Sequence, residues 1–139
     1  MKLSTKGKYA LYAMIFLSQQ EEGAAQSLKA FAPLGLPEAY LEQLLGALRK
    51  EGLVKSVRGA QGGYLLSRPP EKITARDVIE AAEGPISFSD CVTASQGACQ
   101  KSENCPAKGV WEYLTDKING LLDSITLSDM ASQKLKDIS

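Results

Sequence analysis

The sequence runs to 139 residues, enough for one domain with its own core and an appended helix. Apolar residues make up 44%, inside the globular range, and no compositional bias argues for disorder. Net charge is zero, yet it is unevenly spread. Residues 1–70 carry nine Lys/Arg and five Asp/Glu, a balance of +4, and residues 71–139 carry seven and eleven, a balance of −4. A basic N-terminal half is the expected footprint of phosphate contact, because neutralised phosphates release condensed counterions. The longest apolar-rich run, Tyr9 to Leu17, has nine residues. A membrane-spanning helix needs about 20, so no membrane partner is expected. The opening Met1-Lys2-Leu3-Ser4-Thr5-Lys6 has no apolar signal core, and a cytoplasmic location is the expectation.

In chain order, Ser4 or Thr5 caps a first helix to about Gln20, with Ala10, Met14 and Leu17 on one face. Gly23 breaks it. Ser27 caps a short second helix carrying Leu28 and Phe31, and Pro33-Leu34-Gly35 makes a tight turn. A third helix is expected from Pro37, as first helical residue, to about Lys50, with Gly52 as its stop. Leu41, Leu44, Leu45 and Leu48 form its buried stripe, and Glu38, Glu42, Gln43, Arg49 and Lys50 lie mainly on the other sides. Leu53 to Val57 reads as a strand, Arg58 to Gly63 as a glycine-rich turn, and Tyr64-Leu65-Leu66 as the return strand. Thr74 caps a helix over 75–82 that stops at Gly84. A long helix begins near Pro106, with Val110, Trp111, Leu114, Ile118, Leu121, Leu122 and Ile125 as its apolar stripe. Thr126-Leu127-Ser128-Asp129 opens a last helix.

Two short helices joined by a Pro/Gly turn, followed by a basic hairpin, predict a mainly α fold: a winged helix-turn-helix domain with a small β-hairpin wing and a long C-terminal dimerisation helix. The expected division is a DNA-binding domain over 1–84, a cysteine-rich loop over 85–105, and the long and last helices over 106–139. One amphipathic helix outside a small domain has little of its own chain to pack on, so the same helix of a second subunit is its expected partner, giving a homodimer.

The third helix has the polar pattern of a major-groove reader of double-stranded DNA, with Tyr40, Glu42 and Gln43 as candidate readers. Arg58 at the hairpin tip suits a narrow minor groove, beside Gly62 and Gly63 of the DNA-facing wing. Ser4, Lys6, Arg49 and Lys50 would hold phosphates. The plainer alternative makes Glu42, Arg49 and Lys50 an ordinary solvated face. Cys91, Cys99 and Cys105 all fall within fifteen residues, and the chain has no histidine. An odd cysteine count without a secretory signal reads as metal or redox chemistry rather than a disulfide framework. Thiolate-rich ligation selects iron–sulfur or zinc, and zinc would usually show paired Cys-x2-Cys knuckles, absent here.

Leu3-Ser4-Thr5-Lys6-Gly7-Lys8-Tyr9-Ala10, Tyr40-Leu41-Glu42-Gln43-Leu44 and Val57-Arg58-Gly59-Ala60-Gln61-Gly62-Gly63-Tyr64 resemble segments of the bacterial iron–sulfur cluster regulator family, the IscR type. The likeness continues to Ile125-Thr126-Leu127 and so covers almost the whole chain. It implies a homodimer on palindromic promoter DNA, controlling cluster-assembly genes, with a [2Fe–2S] cluster whose presence changes which sites are bound. It maps the ligands onto Cys91, Cys99 and Cys105, the base readers onto Tyr40, Glu42 and Gln43, and the wing arginine onto Arg58. A recognition-helix serine of the family falls at Pro37, and that contact is lost.

Two further departures stand out. The first cysteine interval is longer by two residues than in the best-known members, and the histidine expected after the last cysteine is Lys108. The fourth ligand is therefore open among Asp90, Glu103, Glu42, Lys108, Ser95, Ser102 and solvent. Related nitric-oxide sensors hold a [4Fe–4S] cluster on three cysteines, but their acidic position near the N-terminus is Lys8 here. If the cluster loop packs near the recognition helix, Glu42 discriminates between sites bound with and without cluster. The closest rival is a cluster-free repressor of cysteine metabolism, which shares Glu83-Gly84-Pro85-Ile86-Ser87. From a different class, a small electron-transfer protein would leave the first 70 residues unused. With no histidine, nucleophile elbow or phosphate loop, an enzyme is not expected.

Overall fold

The computed structural model describes residues 5–60, 62–85 and 106–132. Helix α1 spans Thr5–Ser18 and buries Gly7, Ala10, Ala13, Met14 and Leu17. Its small residues let neighbouring helices approach closely, and the expected face is the one buried. The second helix differs from the expectation: Leu28–Leu34 is a 3₁₀ helix, with Pro33 inside it. Proline has no N–H to extend an α-ladder, so the segment closes as a tight seven-residue turn that still buries Phe31. Ser27 occupies the N-cap position, but its side chain makes no capping bond.

Helix α2 spans Glu38–Lys50, and Pro37 is its N-cap rather than its first residue. The Pro37 carbonyl accepts from the Leu41 N–H at 3.0 Å, so proline's missing donor costs nothing there. Leu41, Leu44, Leu45 and Leu48 are all buried. Gly52, at φ 79°, ends the helix. Its N–H donates to Arg49 O, and the Leu53 N–H donates to Leu48 O, both at 3.0 Å, which completes a Schellman motif. The sharp reversal points the chain directly into the hairpin.

Strands β1 (Val54–Val57) and β2 (Gly63–Leu66) pair antiparallel, with Val54 opposite Leu66 and Val57 opposite Gly63. A third extended piece joins them: Gln26 and Tyr64 exchange both backbone hydrogen bonds at 2.8 Å. The wing is thereby stitched to the segment entering the helix-turn-helix.

Helix α3 (Ala75–Glu83) begins with a full capping box between Thr74 and Asp77. Helix α4 (Lys108–Ser124) is the long one, and α5 (Leu127–Ala131) opens with a second capping box, Thr126 with Asp129. The two capped starts lie side by side. The Ala75 N–H donates to Ile125 O at 2.8 Å and the Leu127 N–H to Ile73 O at 2.9 Å. Leu127 is fully buried in the same core as Met14, Phe31, Leu45 and Val78. The end of α4 thus lies beside the start of α3, and the chain enters the shared core at Leu127. Burying each such side chain stabilises the fold by roughly 1.5–3 kcal/mol.

Arg76 on α3 ties down the end of α4, meeting Asp123 at 2.8 Å and Glu80 at 3.0 Å. Asp123 first, then Glu80, hold its guanidinium above the ordinary pKa. Within α4 only Thr115 is buried, whereas Val110, Tyr113 and Leu121 are 55%, 62% and 54% exposed.

Candidate nucleic-acid interface

The side chains expected to read DNA project from α2 and the hairpin after it. Burial of the leucine stripe turns the opposite side of α2 outward, and Glu38, Glu42, Gln43, Arg49 and Lys50 are all exposed there. Glu42 and Gln43 lie one turn before Gly46, and Arg49 and Lys50 one turn after it. Arg49 also reaches the wing, its Nη1 donating to Ser56 Oγ on β1 at 3.3 Å. Such a contact crosses from α2 to the hairpin, and no local pattern in the sequence announces it.

Tyr40 is only half-buried, yet its ring is committed to packing. It stands edge-on to Tyr9 of α1, centroids 6.1 Å apart and planes at 84°, and Tyr9 meets Tyr12 in turn at 5.8 Å. Tyr40 therefore fixes how α2 sits on α1, in addition to any role as a reader. Lys6 is exposed on the first turn of α1. Ser4 lies outside the described residues.

At the wing, Arg58, Gly59 and Ala60 are all exposed. The turn closes by the Gly62 N–H donating to Gly59 O at 3.0 Å. Gly62 and Gly63, expected to face DNA, have a sufficient reason inside the chain. A Cβ on Gly62 would stand 2.1 Å from Val57 O, and one on Gly63 would stand 2.2 Å from Gln26 O. Both glycines exist because backbone passes where a side chain would be.

The structure therefore gathers Glu42, Gln43, Arg49 and Lys50 on one helix face, with Arg58 on the adjoining hairpin. Cys91, Cys99 and Cys105 lie outside the described residues, in the stretch of sequence between α3 and α4. Among the described residues no group of three His, Cys, Asp or Glu side chains could hold a metal ion. Nor is any helix there long and apolar enough to cross a membrane.

Comparison with known proteins gives the geometry its context. The profile of the Rrf2 family, described as "Iron-dependent Transcriptional regulator", matches residues 3–133. The HTH-type transcriptional regulator CymR of Bacillus subtilis is 44% identical over 133 residues, covering 95% of this chain and 91% of that protein. IscR of Escherichia coli, also an HTH-type transcriptional regulator, is 36% identical over 141 residues, covering all of this chain and 86% of that protein. Among solved structures, B. subtilis CymR, described as that organism's global cysteine regulator, aligns with a TM-score of 0.76. That alignment has 42% identity and covers 96% of this chain and 98% of the other. IscR of T. potens aligns with a TM-score of 0.73 at 44% identity, covering 99% of this chain and 90% of the other. The exposed polar face of α2, the wing packed beside it and these full-length likenesses converge: the chain belongs to the Rrf2 family of transcriptional regulators and is not an enzyme.

Proposed function

We propose that this regulator binds promoter DNA as a homodimer, laying α2 in the major groove and Arg58 of the wing in the adjacent minor groove. The observation that carries the reading is the outward face of α2, where Glu42, Gln43, Arg49 and Lys50 are exposed together beside an exposed Arg58. Gln43 pairs with adenine, Glu42 accepts from a cytosine amino group, and Lys6, Arg49 and Lys50 neutralise phosphates, with Ser4 as a further phosphate contact. Tyr40 reads from the start of the helix, and Gly62 and Gly63 shape the wing. The exposed apolar side chains of α4, Val110, Tyr113 and Leu121, pair with their counterparts on a second copy. A two-fold dimer places two recognition helices on successive half-sites.

The signal is read through the cysteines. Cys91, Cys99 and Cys105 are a donor set that fits a thiolate-held iron–sulfur cluster, [2Fe–2S] with [4Fe–4S] as the alternative. When bound, such a group supplies redox-sensitive cross-linking of the segment between α3 and α4. With no histidine in the chain, its fourth ligand is a carboxylate, a lysine, a hydroxyl or solvent. Under this reading the regulated genes are those of cluster assembly. The likeness to IscR favours it, and the likeness to CymR favours a cluster-free, cysteine-linked regulator.

Anaerobic purification with a visible spectrum and counts of iron and acid-labile sulfide separates the two. Structured bands with about two irons and two sulfides per chain support the cluster. A colourless protein that resists reconstitution moves the signal to thiol or metabolite chemistry and leaves the DNA-reading part intact. Sedimentation with a DNA duplex should show two chains per duplex; a single chain per duplex overturns the dimer.

A further inference from the structure

Gly46 is the one position on the outward face of α2 that the fold itself does not explain. It lies inside the helix, its backbone takes no positive φ, and a Cβ built there meets nothing within 4 Å. Glycine in a helix interior is less stable than alanine because it loses more backbone freedom on folding. Here the chain's own packing gives no return for that loss, unlike at Gly62 and Gly63, where backbone fills the space.

The place of this glycine is telling. The buried stripe of Leu41, Leu44, Leu45 and Leu48 occupies the opposite side of the helix. Glu42 and Gln43 flank Gly46 one turn before, and Arg49 and Lys50 one turn after, all four exposed. Where the first pair reads base edges and the second holds phosphates, the residue between them lies against the groove wall. A side chain there would act as a spacer, holding the shorter reach of Gln43 and Glu42 away from the bases.

We propose that Gly46 is a specificity-determining residue: its missing side chain lets the backbone of α2 approach the wall of the DNA major groove closely. The proposal rests on the DNA-reading assignment above. It predicts that two good helix formers at this position, Gly46→Ala and Gly46→Gln, improve the fold and impair recognition together.

The test uses the full chain and a duplex enriched from a random-sequence library by the wild-type protein, with an unrelated duplex as the non-specific control. Gly46→Ala should raise Tm by about 4 °C. It should lower affinity for the selected duplex about threefold to tenfold, and Gly46→Gln should lower it by more than tenfold. Binding to the control duplex should change less than twofold in both, since it depends mainly on phosphate charge. If both variants bind the selected duplex as tightly as wild type, the Gly46 assignment is overturned while the DNA-reading assignment stands. If the wild-type protein enriches no duplex at all, both fall.

Discussion

Gly63→Ala is the substitution whose cost can be worked most directly from the structure. The added Cβ would lie 2.2 Å from Gln26 O, 2.3 Å from Gln26 C and 2.7 Å from Ser27 N, all of them backbone atoms. No rotamer change relieves such a clash, so the strands must part. Parting them breaks the two 2.8 Å hydrogen bonds between Gln26 and Tyr64. Each is worth about 1 kcal/mol net, and the overpacking adds about 1–3 kcal/mol. The expected loss is about 3–5 kcal/mol, a large share of the 5–15 kcal/mol typical of a domain. Thermal unfolding followed by circular dichroism should show Tm lowered by at least about 10 °C. Gly59→Ala is the companion measurement, because a Cβ there meets nothing, although its φ of 113° is strained; it should cost about 1 kcal/mol. A Gly63→Ala protein melting within about 2 °C of wild type would refute the reasoning and leave Gly63 to be explained by DNA contact.

Other consequences are simpler. Leu121 is 54% exposed, so Leu121→Glu should leave the monomer folded while sedimentation shows loss of the dimer; an unchanged dimer would mean that α4 is not the interface. Thr126→Ala removes the capping box that starts α5 beside the Ala75 and Leu127 backbone pairing. It should cost about 1 kcal/mol, read as a Tm drop of about 4 °C, and no change in Tm would show that the cap is replaced by solvent. Glu42→Ala should broaden the set of promoter sites bound, because a carboxylate in the groove acts against some of them; an unchanged profile across sites would sink that role.

Much of this fold is legible in the sequence because its signals are local. The leucines of α2 recur at the helical period, and the Thr-x-x-Asp pattern at Thr74 and Thr126 is a cap that the structure closes in both places. The unannounced parts are the ones where distant segments meet. Gln26 pairs with Tyr64 although the residues around it, Gly23-Ala24-Ala25-Gln26, carry no alternating apolar pattern. The return of the chain at Leu127 likewise needs Ile73 as a backbone partner. The 3₁₀ form of Leu28–Leu34 escapes a reading of apolar spacing, which cannot separate two tight helices over seven residues.

For the candidate site, the polar face of α2 follows from the leucine stripe alone, since burying one side exposes the other. The double duty of Tyr40 and Arg49 does not, because Tyr9 and Ser56 are distant in sequence.

The central claim is that α2 reads bases with one turn and holds phosphates with the next. Comparing Gln43→Ala with Lys50→Ala across a salt series tests it most directly. Gln43→Ala should lower affinity for the selected duplex by about 1–3 kcal/mol and leave non-specific binding and the salt slope unchanged. Lys50→Ala should weaken binding to all sequences alike and reduce the salt slope by about 1. If both substitutions weaken specific and non-specific binding in equal proportion, or neither changes binding, α2 is not the reading helix and the account is contradicted.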